Sequence, residues 1–280
     1  MATATVRFGE RTKSALLSLL LAIVFLVIWQ ALTGSSSSTG ELSEYEQLVA
    51  TEEQMAKIPS PLMLASRTVD LLADPFYDKG PNDKGIGLQL LFSIGRVAAG
   101  YILALLAAIP LGFVVGMSPM MMRALNPFIQ VLKPISPLAW MPLALFIIED
   151  SILSSVFVIF ICSLWPVLIN TAFGVSSVHK DWLNVGKTLE LSPARMALTV
   201  IFPAAAPTIL TGMRISIGIS WLVIVAAEML VGGTGIGYYV WNEWNNLDLA
   251  SVIITIGAIG LVGMALDSLL ALASRWVVYE

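Results

Sequence analysis

Six apolar runs, each long enough to cross a hydrocarbon layer of about 30 Å, leave this chain little choice but a bundle of membrane helices. They extend over 14–32, 88–115, 127–148, 152–173, 204–230 and 249–273. Each approaches or exceeds the roughly 20 residues that one helical crossing takes. Charged residues make up 12% of the 280-residue sequence, against about 25% in soluble domains. A water-soluble core of this size has no room for so much apolar surface. The expected fold is therefore all-α and integral to a membrane, with about six transmembrane helices.

The first run follows Arg7, Arg11 and Lys13. Its apolar stretch is long for a secretory signal and no A-x-A site follows, so it reads as a retained anchor over 14–32. With 1–13 inside, Arg7, Arg11, Lys13, Arg123, Lys180, Lys187, Arg195 and Arg275 share the cytoplasmic side. The opposite side receives an acidic segment, 33–87, and the stretch 231–248, which has no lysine or arginine. Both termini, 1–13 and 274–280, are expected in the cytoplasm. Within 33–87 stand nine acids against four bases, so the net charge of −4 belongs to one loop. GSSSSTG over 34–40 is a linker, and an acidic stretch runs on to Lys57. Pro59-Ser60-Pro61 then opens a short amphipathic helix, with Leu62, Leu64, Val69 and Leu72 as its apolar residues. Such a helix suits the membrane surface, a partner, or simple packing over the spans. Cys162 is the only cysteine and His179 the only histidine, which excludes a disulfide framework and a histidine-rich metal site.

The connection between the fourth and fifth runs, 176–203, is too long for a plain turn. Trp182, Val185, Leu189 and Leu191 alternate helically with Lys180, Asn184, Lys187 and Glu190. Ser192-Pro193 then supplies a cap and a first-position proline for a second helix. Two short helices on the cytoplasmic face are predicted, either transmitting force to a soluble partner or serving as an interfacial connector.

This segment resembles the membrane permeases of bacterial ATP-binding-cassette importers, whose cytoplasmic loop carries E-A-A-x3-G-x9-I-x-L-P. Asn184, Val185 and Gly186 stand at E-A-A, Glu190 at the glycine, and Val200, Phe202 and Pro203 at I, L and P. The turn that glycine supports in the pattern is expected to pass here to Ser192-Pro193. LKPISPLAWMPLAL (132–145) and ISWLVIVAAEMLVGGTGIGYYVW (219–241) extend the likeness to the branch importing nitrate, bicarbonate, taurine and other sulfonates. The run SWLVIVAAEMLVGGTGIG is nearest to nitrate and bicarbonate permeases. The resemblance implies a five-helix permease core over 88–273 and an ATPase-coupling surface of Asn184, Val185, Gly186, Lys187, Leu189, Glu190, Ser192 and Pro203. It further implies a second copy of the permease, two ATPase subunits that carry ATP and Mg, and a periplasmic binding protein, in the bacterial inner membrane. No nucleic-acid partner and no cofactor bound by this chain are implied. Nitrate or nitrite is the implied substrate, with bicarbonate or a sulfonate as the alternative. No G-x-x-x-x-G-K-[ST] phosphate loop occurs in the sequence, so ATP chemistry falls to separate subunits.

Polar residues inside apolar runs are costly and mark a translocation path or a structural pair. Arg96, Lys133, Arg214, Glu228 and Asp267 are the charges in question, and three bases among five suit an anion. Glu228 pairing with Arg96, and Arg214 and Asp267 snorkelling, are the structural alternatives. Trp140, Trp165 and Trp221 lie deep and suit either a narrow solute path or core packing. Gly112-x-x-x-Gly116 permits close helix approach. Pro134, Pro137 and Pro142 are expected to bend or break the third span. A secondary carrier and a non-transporting membrane anchor are the rival classes.

Overall fold

The computed structural model describes the backbone of residues 2–33, 58–81 and 83–277, with side chains from residue 12 to 274 within these stretches. The linker and acidic stretch of 34–57 lie outside the described residues. The described residues form eleven helices, and two residues, Asp78 and Lys84, make one isolated bridge. The chain divides into two units, one of residues 1–75 and 242–256 and another of 76–241 and 257–280.

In the first unit, α1 (Ala2–Thr33) is predominantly apolar all round from Ala15 onward, and only its last turn is partly covered. A helix apolar all round with no protein against it is one that lipid solvates. α2 (Pro61–Ala73) starts where the proline predicted it, with the Ser60 hydroxyl accepting from the Met63 N–H. Polar contacts to Gln30, Asp248 and Ser251 hold it. The Leu62 N–H reaches the Gln30 side chain at 3.4 Å, and Arg67 Nη2 meets Asp248 Oδ2 at 2.7 Å. Arg67 Nε also donates to Ser251 Oγ at 3.1 Å. Asp248 in turn accepts from the Ser251 N–H and hydroxyl at the start of α11 (Leu249–Val277). Burial pushes the Asp248 carboxyl up, but the Ser251 bonds and the Arg67 charge outweigh it and hold it below the usual carboxylate range.

The second unit is built on three long helices, α3 (Ile86–Met117), α6 (Ser151–Ser176) and α9 (Phe202–Val231), with α6 packed along both others. Small residues set the separations. A Cβ on Gly112 would lie 2.5 Å from Thr171 Cβ, and one on Gly116 would lie 2.6 Å from the Ala172 carbonyl oxygen. On the other flank, a Cβ on Gly212 would meet Asn170 Cβ at 2.6 Å. In a bilayer, where lipid is as apolar as leucine, such close backbone approach supplies the packing that holds helices together. Hydroxyls finish the seams: Ser216 Oγ donates to the Ser163 carbonyl at 2.8 Å, Ser163 and Ser220 hydroxyls meet at 2.6 Å, and Tyr101 donates to the Met213 carbonyl.

The predicted third span is two helices rather than one. α4 (Pro119–Leu132) and α5 (Pro137–Ile148) meet at 91° across residues 133–136. Pro134 and Pro137 each lack an N–H and disfavour helix before them, so the ladder stops where the pattern placed the break. Pro142 stays inside α5. Between the fifth and sixth runs stands α10 (Ile236–Asn245), in the stretch without lysine or arginine for which the sequence predicted no element.

The loop 176–203 holds α7 (Lys180–Thr188) and α8 (Pro193–Met196), the latter capped by Ser192. A single π turn, Ala197–Ile201, then joins α8 to α9 without a gap. The turn between α7 and α8 corrects the expectation from sequence. Glu190 itself takes the left-handed conformation at φ 50°, so the turn is not passed to Ser192-Pro193. The Glu190 N–H bonds the Lys187 carbonyl and the Leu191 N–H bonds the Gly186 carbonyl, the hydrogen-bond pair of a Schellman stop. A non-glycine residue there costs on the order of 1 kcal/mol, which these two bonds and the Ser192 cap offset.

Two outcomes follow from this packing. Gly112→Val forces α3 off α6 and should cost about 1–3 kcal/mol. The thermal midpoint in detergent should fall for it and stay for Gly218→Val, since nothing stands within 4 Å of a Cβ at Gly218. The Asp248 contact should be intact above the ordinary carboxylate pKa of about 3.9 and be lost only as pH falls through the lower folded value. Hydrogen exchange of 61–73, followed from pH 7 to 3, reports that loss.

Candidate functional site

The structure sorts the intramembrane charges by what each one touches. Glu228, on α9, is 1% exposed and fully engaged. It accepts from Arg96 Nη1 at 2.7 Å, from the Ser93 hydroxyl at 2.8 and 2.9 Å, and from the Gly237 N–H at 3.0 Å. Arg96 continues to Thr234, whose Oγ1 accepts at 2.6 Å. Gln89 accepts from the Gly235 N–H at 2.6 Å, and Ser93 Oγ from the Ile236 N–H at 2.8 Å. Together α3 and α9 clasp the turn 232–235 and set the start of α10.

The glycines make the clasp possible. Gly232, Gly233 and Gly235 have φ of 75°, 92° and 122°. A Cβ on Gly235 would stand 2.1 Å from the Glu228 carboxyl carbon. Of this cluster the sequence reading found Arg96 and Glu228 and named their pairing as an alternative. It missed Gln89, Ser93 and Thr234. The one signal for Gln89 and Ser93 was their i, i+4, i+7 spacing with Arg96 on α3, and no such signal marked Thr234.

Arg214, on α9, makes a two-point ion pair with Asp267 on α11, at 3.0 and 2.8 Å. Planar guanidinium and carboxylate match in this arrangement, so neither group is left to a solute alone. Trp221 is 5% exposed, and its indole N–H donates to the Ile259 carbonyl at 2.9 Å. Trp140 packs against the main core and Trp165 against the cluster of Ala108, Ile129, Val167 and Leu168.

Lys133 differs from Arg96 and Arg214. It is exposed at the break between α4 and α5, and no acid partners it among the described residues. With Asn126 and Gln130 it forms the polar side of a groove of about 290 Å³. The other walls are apolar, from Val115 of α3 and Leu168, Ile169, Ala172 and Phe173 of α6.

The α7–α8 pair presents a second surface. Leu183 and Met196 pack inward with Val175, Ile201, Ala205 and Ile209. Gly186 is buried because Met196 lies across it: a Cβ there would meet Met196 Cε at 2.5 Å. Trp182, Val185 and Leu189, spaced i, i+3, i+7, are 56%, 59% and 66% exposed. The apolar stripe read from sequence therefore faces outward, beside exposed Asn184, Lys187, Glu190 and Ser192. Pro203, also exposed, stands in the first turn of α9 just past the π turn. Among the described residues no group of three acids, histidines or cysteines is placed to hold a metal ion.

Removing one member of the clasp leaves its partner's charge buried. Glu228→Ala should cost roughly 3–5 kcal/mol and abolish a cooperative melt in detergent. Arg214→Ala, at a pair that is 41% and 50% exposed, should lower the midpoint far less.

Comparison with known proteins places this geometry. Residues 100–279 match the family described as the inner membrane component of binding-protein-dependent transport systems. The nitrate import permease protein NrtB of Synechocystis sp. is 41% identical over 91% of this chain and 86% of that protein. The protein of the same name from Leptolyngbya laminosa is 45% identical over 78% of each chain. The bicarbonate transport system permease protein CmpB of Synechocystis sp. is 39% identical over 93% of this chain and 88% of that protein. A chain of the inward-facing MetNI methionine ABC transporter matches at TM-score 0.61 and 11% identity, covering 68% of this chain and 95% of its own. At that identity the likeness carries the fold alone. With a family match over more than half its length and relatives near 40% identical along most of theirs, this chain belongs to the inner membrane components of binding-protein-dependent transport systems, the permease subunits of ABC transporters.

Proposed function

We propose that this permease carries nitrate or nitrite inward, as one of two permease copies, with separate ATPase subunits and a periplasmic binding protein. The observation that carries the substrate is the 41–45% identity to two proteins named as nitrate import permeases. Lysine and arginine placement supports an orientation with both termini in the cytoplasm, which puts the α7–α8 pair there too. The chain has no phosphate-binding loop, so ATP and Mg sit on the partner subunits.

The outward stripe of Trp182, Val185 and Leu189 is what an ATPase cleft would grip. An unpartnered apolar stripe on a helix in water is a costly exposure, and a partner that covers it removes that cost. Gly186 under Met196 and the Glu190 stop hold α7 against α8, and the π turn passes both into α9 as one body. Movement of the ATPases then reaches the span that carries Arg214, Trp221 and Glu228. Of these the ion-paired and core residues form the frame of the moving helix rather than its solute contacts.

The bicarbonate reading stays in the test because the CmpB proteins cover up to 97% of this chain at 36% identity. The assembled transporter, in proteoliposomes with its ATPase subunits, should hydrolyse ATP several-fold faster with nitrate-loaded binding protein than with the empty protein. Stimulation by bicarbonate in place of nitrate would transfer the substrate and keep the machine. Val185→Asp should leave the permease folded and cut ATPase association by at least tenfold; wild-type association would remove α7 from the contact.

A further inference from the structure

We propose that the face of α4 formed by Arg123, Asn126, Gln130 and Lys133 is the inner half of the anion route, a cationic and amide-lined ladder rising to the break at 133–136. The assignment rests on the import reading above and names the side chains that a small monoanion meets on its way to the cytoplasm.

Spacing comes first. Positions 123, 126, 130 and 133 follow at 3, 4 and 3 residues, so they share one stripe of a helix about 15 Å long between its ends. All four are exposed, and the last three line the groove against α6. The remaining surface of α4 divides cleanly. Ile129 is buried with α6 and α3, while Met120, Phe128 and Val131 are exposed apolar residues on the other side. A helix in a membrane with an apolar flank toward lipid and a polar flank beside a groove has that polar flank on water.

Charge comes second. Arg67, Lys84, Arg96 and Arg214 each pair with a carboxylate. Arg123 and Lys133 have no such partner among the described residues, and no Asp or Glu occurs in the sequence from 84 to 148. The groove therefore holds the positive charge of Lys133 with no carboxylate paired to it among the described residues, and Arg123 extends that charge along the stripe. An oxyanion of charge −1 is the complementary solute: the Lys133 ammonium donates to its oxygens, and the Asn126 and Gln130 amides donate without binding it tightly. Several weak donors in sequence suit passage, because a site that releases its ion must not hold it.

The break is the third observation. Backbone that leaves the helical ladder between spans is tolerated where it is buried in protein or lines a water-filled cavity, and Lys133, the first residue of the break, lines the groove at the head of the stripe. The groove of about 290 Å³ has room for a monoanion with part of its hydration shell.

The test uses the assembled transporter in proteoliposomes, on a Cys162→Ser background. Single cysteines at Asn126 and Gln130 should react with a charged, membrane-impermeant thiol reagent supplied from the cytoplasmic side, and nitrate should slow the reaction. Cysteines at Phe128 and Val131 should stay at least tenfold less reactive. Lys133→Gln should lower nitrate flux at least tenfold while binding-protein-stimulated ATP hydrolysis persists, and Lys133→Arg should restore flux. Unreactive cysteines at 126 and 130, or wild-type flux in Lys133→Gln, overturn the ladder. Equal reactivity at 126, 128, 130 and 131 overturns it as well, since α4 would then lie wholly in water. Should Lys133→Gln fail to assemble, the labelling pattern alone decides. If bicarbonate rather than nitrate drives the wild-type transporter, the substrate reading fails, and protection by bicarbonate at 126 and 130 still upholds the route.

Discussion

A charge at membrane depth must be matched by another charge, by hydrogen bonds or by water, and this one demand organises the second unit of the molecule. Arg96 and Glu228 satisfy each other, with Ser93, Thr234 and the Gly237 N–H taking the valences left over. The pair is less a source of stability than a device of registry, because taking two ions out of water costs nearly what their attraction returns. What it fixes is geometric: the turn 232–235, and with it the start of α10, can stand in one place only. Arg214 and Asp267 apply the same rule between α9 and α11 with weaker demands, since both are half-exposed.

The same accounting gives the α4 face its meaning. Arg123 and Lys133 have no acid partner among the described residues, and at membrane depth such cations are tolerated where water or an anion reaches them; the groove beside the proline break leaves Lys133 that access. Close helix packing makes the contrast sharp. Where Gly112, Gly116 and Gly212 let α3, α6 and α9 touch backbone to backbone, no solute passes. The groove lies where that packing gives way to α4.

At the other end of the same helices, the α7–α8 pair shows how a sequence departs from its family pattern without losing the shape. Glu190 stands in the left-handed conformation usually left to glycine, held by the Lys187 and Gly186 carbonyls. Gly186, at the second alanine of the pattern, keeps a small residue beneath Met196. The join through Ala197–Ile201 then carries the pair into α9 without a gap.

The sequence by itself determined where five of the long apolar helices run, because about 20 apolar residues in lipid can only be a helix, while the third run became two helices at an angle. It determined the proline break at 133–136, the proline start of α2 and the two-helix loop, because these are local consequences of a missing N–H or a capping hydroxyl. It also nominated the intramembrane charges. Only the tertiary structure decided what those charges do. Whether Arg96 faces Glu228 or a solute depends on how α3 and α9 are rotated and spaced, and that is set by packing at glycines more than 50 residues apart in the chain. The outward turn of Trp182, Val185 and Leu189 was illegible for a like reason: helical periodicity gives two faces, but only the neighbours settle which one is covered. Lys133 and Arg96 are equivalent letters in an apolar run, and the difference between them is the presence of one carboxylate 132 positions beyond Arg96.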